Sequence, residues 1–256
     1  MSDIASFTPP AAPGAAPRRV LLGMLTPSSN TALEPITSAM VAGLPEVSAH
    51  FARFRVTEIS LSEQALGQFD ETPILEAARL LADARVDVIA WNGTSSGWLG
   101  FERDEALCAR ITAETGIPAC TSVLALNEAM RLAGRTRFGL LSPYLADVQQ
   151  RIVANYGASG FDCVAEQHLG LSVNFAFSEV TPDQIEAMAR AALASGDVQC
   201  LTTFCTNLRA AHLVPQLEAA LGVPVYDTVA TAVWKSLRIA GVDTRRLTGW
   251  GSLFAL

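Results

Sequence analysis

Residues 88–95 read VIAWNGTS and residues 200–207 read CLTTFCTN. Each is a short β-prone run that breaks into a polar triplet, Gly93-Thr94-Ser95 in the first and Cys205-Thr206-Asn207 in the second. A run this short, closed by loop-forming residues, predicts a buried strand with a loop at its C-terminal end. Two further pairs of segments follow in the same order. GMLTPS at 23–28 lies over GLLSPY at 139–144, and the Gly-Ile-Pro starting at Gly116 lies over the Gly-Val-Pro starting at Gly222. Three matches in one order predict an α/β unit used twice.

The rest of the chain fits that unit. Apolar runs at 20–25, 49–56, 86–91 and around Cys120 predict four strands, separated by helical spacing over 31–42, 72–84 and 101–115. After a helix over 124–133 the pattern restarts. Strands are expected at 136–141, 162–168, 198–204 and 223–226, with helices over 147–155, 181–194, 208–221 and 228–240. Residues 247–254 suit either an edge strand or a packed loop. The fold class is therefore α/β, with two pseudo-symmetric lobes, each a short parallel sheet flanked by helices. The expected division is a disordered tail over 1–19, a first lobe over 20–125 plus 224–256, and a second lobe over 126–223. Ligands of such sheets bind beyond the strands' carboxyl ends. Two facing lobes then converge four loops on one cleft: 26–30, 93–96, 142–144 and 205–207.

Composition limits the chemistry. Of 256 residues, 50% are hydrophobic and only 17% charged, with 18 Lys and Arg against 25 Asp and Glu. A net charge of -7 with no basic stripe argues against nucleic acid as a partner. No apolar run approaches the roughly 18 to 20 residues a membrane span needs, and the Ala/Pro-rich start lacks the features of a signal peptide. Five cysteines without a CxxC pair and three histidines (His50, His168, His212) argue against a disulfide framework and a zinc site. A reducing cytoplasm fits best. No GxGxxG, Walker A sequence, metal cluster or Schiff-base lysine calls for a cofactor. The partner expected is a small carboxylate; subunit number is not fixed by composition, and a homo-oligomer remains open.

Cys205 is the first candidate for chemistry. It stands at a strand end, beside a hydroxyl and an amide and near the expected N-terminus of the 208–221 helix, where a thiol can be held as thiolate or used as a proton donor. Cys108, Cys120, Cys163 and Cys200 read as small buried hydrophobes. Thr94, Ser95 and Ser96 offer hydroxyls and N–H groups to a carboxylate or an enediolate, or else cap a helix. Ser28, Ser29 and Asn30 carry the same two readings. Tyr144 can donate its phenolic hydroxyl or pack its ring, and Asn174 can reach a ligand or stabilise a turn. Trp91, Trp98, Phe175 and Phe177 read first as core.

On these residues the chain resembles the aspartate/glutamate racemase superfamily over about 20–254, and within it the maleate cis-trans isomerase and arylmalonate decarboxylase branch. The resemblance implies two lobes with the active site between them. Racemases and maleate isomerases of this type carry one cysteine per lobe. Here the second matches Cys205 in FCTNL, while the first falls on Gly93 in WNGTSS. A Gly-Thr-Ser, a single cysteine and a Tyr resemble the decarboxylases, which implies Thr94, Ser95 and Tyr144 as donors to a carboxylate or enediolate and Cys205 as proton donor. The opening PSSNT resembles the isomerases, which implies Asn30 and Asn174 as carboxylate ligands. Gly93, Ser96, Thr206, Asn207 and Ser28 complete the expected substrate site. The leading expectation is a cofactor-independent decarboxylation of a malonate-like diacid. The alternative is cis-trans isomerisation of a short unsaturated dicarboxylate, and a third reading is a non-catalytic carboxylate-binding protein.

Overall fold

A computed structural model describes residues 18–256, so most of the expected tail, 1–17, lies outside the described residues. Arg18 is already tied down, its guanidinium paired with the Asp87 carboxylate.

Two parallel sheets carry the fold. The first is built from β1 (Val20–Pro27), β2 (Val47–Phe54), β3 (Val88–Trp91) and β4 (Ala119–Thr121), in the spatial order β2-β1-β3-β4. The second uses β5 (Arg137–Ser142), β6 (Asp162–His168), β7 (Cys200–Thr203) and β8 (Val225–Asp227), in the order β6-β5-β7-β8. The two orders are the same, strand for strand. Helices α1 (Leu33–Val41), α2 (Glu63–Gly67), α3 (Glu71–Asp83), α4 (Ser96–Leu99), α5 (Phe101–Thr115) and α6 (Ser122–Leu132) follow the first-sheet strands. Helices α7 (Ala146–Ala158), α8 (Pro182–Ser195), α9 (Val214–Leu221) and α10 (Thr228–Ile239) follow those of the second.

The duplicated sequence signals have duplicated physical causes. Gly116 and Gly222 end α5 and α9 in left-handed conformation, at φ +71° and +72°, which a side chain resists and a helix C-terminus commonly requires. The Pro two residues on then leads into the last strand of each sheet. Gly23 and Gly139 stand at matching places in β1 and β5, where a Cβ would come within 2.9 Å of Val86 and 2.5 Å of Leu201. Glycine at these places leaves room for the side chains of the crossover and strand that follow.

Two expectations change and one open alternative is decided. Val225–Asp227 pairs with β7 and completes the second sheet, so the chain does not return to the first lobe at 224. The return comes with α10, which packs on α6 and reaches it through the Thr231 hydroxyl, 2.8 Å from the Ser122 carbonyl. The helix expected from 208 begins at Val214, after a turn and a short 3-10 segment, Ala211–Leu213. Pro215 in its first turn sets that start, since a proline supplies no N–H to extend the helix backward. Residues 247–254 form no strand; they pack as a loop that ends in the 3-10 turn Ser252–Ala255. Among the described residues no helix is long and apolar enough to cross a membrane.

Candidate active site

The carboxyl ends of both sheets face one cavity, bordered by Gly93, Thr94, Ser95, Tyr144, Asn174, Cys205 and Thr206. Pro27, Val56, Ile59, Phe69, Trp91 and Trp98 form its apolar wall. The cavity holds about 20 Å³, little more than one water needs by the same measure. A diacid therefore requires the wall to open. None of the bordering residues is a lysine or arginine, so any negative charge must be met by neutral donors.

Cys205 is buried at 3% exposure and is the one of the five free cysteines that borders this cavity. Burial pushes its thiol up to about 11, against the smaller opposing pull of the Tyr144 hydroxyl and of the Asn207 and Leu208 amides. The expected helix does not begin beside it: the next along the chain, α9, starts nine residues on. The Asn207 N–H at 3.4 Å is a weak local donor in its place. That upward shift favours the protonated thiol, the form that can give a proton.

Across the cavity, Thr94 Oγ1 and Tyr144 Oη lie 2.6 Å apart, and the Tyr144 hydroxyl also faces the thiol. The Tyr144 ring is fixed edge-on between Trp98 and Phe177, each centroid 5.5 Å away. Burial raises its hydroxyl well above the usual phenol range, so it acts as a neutral donor. Ser95 precedes α4 without capping it by its side chain. The capping alternative thus fails for Ser95, while the Thr94 hydroxyl is paired with Tyr144. Among the described residues the N–H groups of Thr94 and Ser95 also find no acceptor.

Other expected residues are placed elsewhere. Ser28 donates to the Val56 carbonyl at 3.4 Å and accepts from the Val56 N–H at 3.2 Å, outside the cavity. Ser96 is fully buried, its hydroxyl on the side of Asp104. Asn30 turns its carbonyl to the Ala32 and Leu33 N–H groups at 3.0 and 2.9 Å and its amide to Thr206 at 3.2 Å. Asn207 accepts from Thr31 and Ala32 at 3.0 and 3.3 Å and donates to the Asn174 carbonyl at 2.6 Å. Thr206 donates to the Asn92 carbonyl at 3.0 Å. Asn30, Thr206 and Asn207 thus staple the first-lobe loops to the second lobe. Asn155 completes the stapling from α7, donating to the Ser96 and Gly97 carbonyls at 3.0 and 3.2 Å. Nothing in the sequence marks this mid-helix asparagine. The sequence places Val56 only at the end of the expected 49–56 strand, and it gives no signal at Ile59 or Phe69, which lie in a segment without periodicity.

Two buried carboxyls lie behind the site. Asp227 accepts from Thr203 Oγ1 at 2.7 Å and from the Val229 and Ala230 N–H groups at 2.8 and 3.2 Å, capping α10. Asp104 sits under α4 near the Thr121 and Ser96 hydroxyls. Burial pushes each up to about 6. Among the described residues no group of three or more His, Cys, Asp or Glu gathers to hold a metal.

Two like-folded lobes closing on one thiol and a row of neutral donors define the two-lobed class to which the aspartate/glutamate racemases belong. Within it the chain is a member of the arylmalonate decarboxylase family, whose profile matches residues 22–254. It is 28% identical over 183 residues to the arylmalonate decarboxylase of Bordetella bronchiseptica, covering 71% of this chain and 76% of that one. It is 26% identical over 234 residues to the maleate isomerase of Geobacillus stearothermophilus, covering 87% and 92%. Among solved structures, a mutant maleate cis-trans isomerase of Nocardia farcinica with a covalently bound succinylcysteine intermediate superposes with a TM-score of 0.80. That match has 24% identity and covers 92% of this chain and 98% of the other.

Proposed function

We propose that this chain is a cofactor-independent decarboxylase of a malonate-type diacid, with Cys205 as the proton donor. The observation that carries this reading is the single thiol facing Thr94, Ser95 and Tyr144 across a cavity with no lysine or arginine at its border. One carboxylate accepts hydrogen bonds from those hydroxyls and from the N–H groups of Thr94 and Ser95. The second lies against Val56, Ile59 and Phe69, where its charge is poorly solvated. Its C–C bond breaks, CO2 leaves, and the electron pair passes into an enediolate whose developing charge the same donors hold. The Cys205 S–H bond then breaks, giving its proton to the α-carbon, and water restores the thiol. The family match and the Bordetella bronchiseptica relative support this reaction class.

A second reading, cis-trans isomerisation of a short unsaturated dicarboxylate, is favoured by the maleate isomerase relative and by Asn174 at the cavity border. It is weakened by Asn30, whose amide is already spent between the lobes. Incubating the protein separately with phenylmalonate and with maleate separates the two. CO2 release without fumarate supports decarboxylation, and fumarate without CO2 overturns it. Free thiols without a disulfide among the described residues support a cytoplasmic setting.

A further inference from the structure

The positions before the two loops are matched strand for strand. Trp91 pairs with Leu25 on one side and Thr121 on the other, and Thr203 pairs with Leu141 and Asp227 in the same way. Two residues on stand Gly93 and Cys205. In the second lobe the smaller Thr203 turns its hydroxyl to Asp227, and the matched position after it carries the Cys205 side chain. In the first lobe the equivalent room is taken. A Cβ built on Gly93 would overlap the six-membered ring of the Trp91 indole, at Cζ2, Cε2 and Cη2. That ring is held in place: Trp91 is 1% exposed and tilted against Phe54 with centroids 5.0 Å apart. It also borders the cavity itself.

We infer that Trp91 is a specificity-determining residue whose indole occupies the place of a first-lobe side chain, makes glycine obligatory at 93 and leaves the Cys205 face as the sole route for a proton. The inference rests on the proposed carbon-acid chemistry for its facial consequence, while the steric part stands apart from it.

A double-substitution cycle tests this. Wild type, G93A, G93C, W91L, W91L/G93A and W91L/G93C are compared by thermal melting and by the handedness of the product from 2-methyl-2-phenylmalonate. G93A and G93C are expected to melt below wild type, and each is expected to cost much less in the W91L background. G93C alone is expected to keep a single-handed product, whereas W91L/G93C should give both hands and wash solvent deuterium into the α-position of the monoacid. The inference is overturned if G93A and G93C melt as wild type does, or if G93C with Trp91 intact already gives both hands. It is equally overturned if W91L/G93C recovers its melting temperature and still makes one hand. A wild type that releases no CO2 would refute the decarboxylase reading alone. The melting cycle, with G93A in reserve should the double cysteine variant not fold, would still decide whether Trp91 fills the site.

Discussion

Removing the Tyr144 hydroxyl while keeping its ring isolates the donor function. In Tyr144→Phe the edge-on contacts with Trp98 and Phe177 persist, because they belong to the ring. What is lost is the 2.6 Å bond to Thr94 and the hydroxyl facing Cys205. A single oxyanion donor is worth about 10²–10³ in turnover, and Tyr144 is one of three hydroxyl donors, so a loss in that range in kcat is expected. The fold pays a smaller cost: a buried Thr94 hydroxyl deprived of its partner destabilises by about 1–3 kcal/mol. At roughly 2–4 °C per kcal/mol for a chain near this size, melting falls by several degrees. The Tyr144 hydroxyl also lowers the Cys205 pKa, so its removal pushes the thiol higher still and slows its alkylation at a fixed alkaline pH. The assay is CO2 release from phenylmalonate at 25 °C, well below melting, beside the melting curve. A Tyr144→Phe enzyme within twofold of wild-type kcat refutes the assignment of Tyr144 as a donor to the developing enediolate.

Cys205 alkylation by iodoacetamide, mapped by mass spectrometry, should be slow at neutral pH and rise about tenfold per pH unit toward about 11; a plateau below pH 8 contradicts the protonated resting thiol. Slow alkylation at pH 7 therefore does not separate a proton donor from an inert site, and turnover must decide that. Asp104 is raised from 3.8 to about 6 by burial, so the folded state holds its proton longer than the unfolded chain. Its stabilisation is present below about pH 4 and is lost as pH rises through 6, amounting to about 3 kcal/mol. Asp104→Asn should thus gain that much relative to wild type between pH 4 and pH 7 in urea melts, and a pH-independent difference would refute it. Asn155→Ala removes two hydrogen bonds from the α4 carbonyls and should lower stability by about 1–3 kcal/mol while reducing kcat through misplacement of Thr94 and Ser95. Unchanged melting and turnover would show that α4 needs no clamp.

The duplication was legible because its signals are backbone requirements. Left-handed caps at Gly116 and Gly222, and the close crossovers at Gly23 and Gly139, each demand glycine for a local reason that sequence records. Cys205, Thr94, Ser95 and Tyr144 were legible because strand ends of matched units must converge. The start of α9 was misread because the apolar spacing from Leu208 continues into a turn held by Asn207, whose side chain is drawn across to Thr31 and Ala32. Contacts between residues 176 apart leave no trace in local spacing. The same holds for Asn155 and Ser28, whose partners lie in other segments. Trp91 was read as core, and it is buried, yet its bearing on the site appears only when the space beside Gly93 is known.

The central claim is that Cys205 alone delivers the proton to a carbon acid held by neutral donors. Its most direct test is CO2 release from phenylmalonate by wild type, Cys205→Ser and Cys205→Ala, with folding verified by melting. Loss of turnover by about 10³-fold or more in both variants, at near-native melting temperatures, is the expected result. A Cys205→Ala enzyme that retains full turnover would contradict the account.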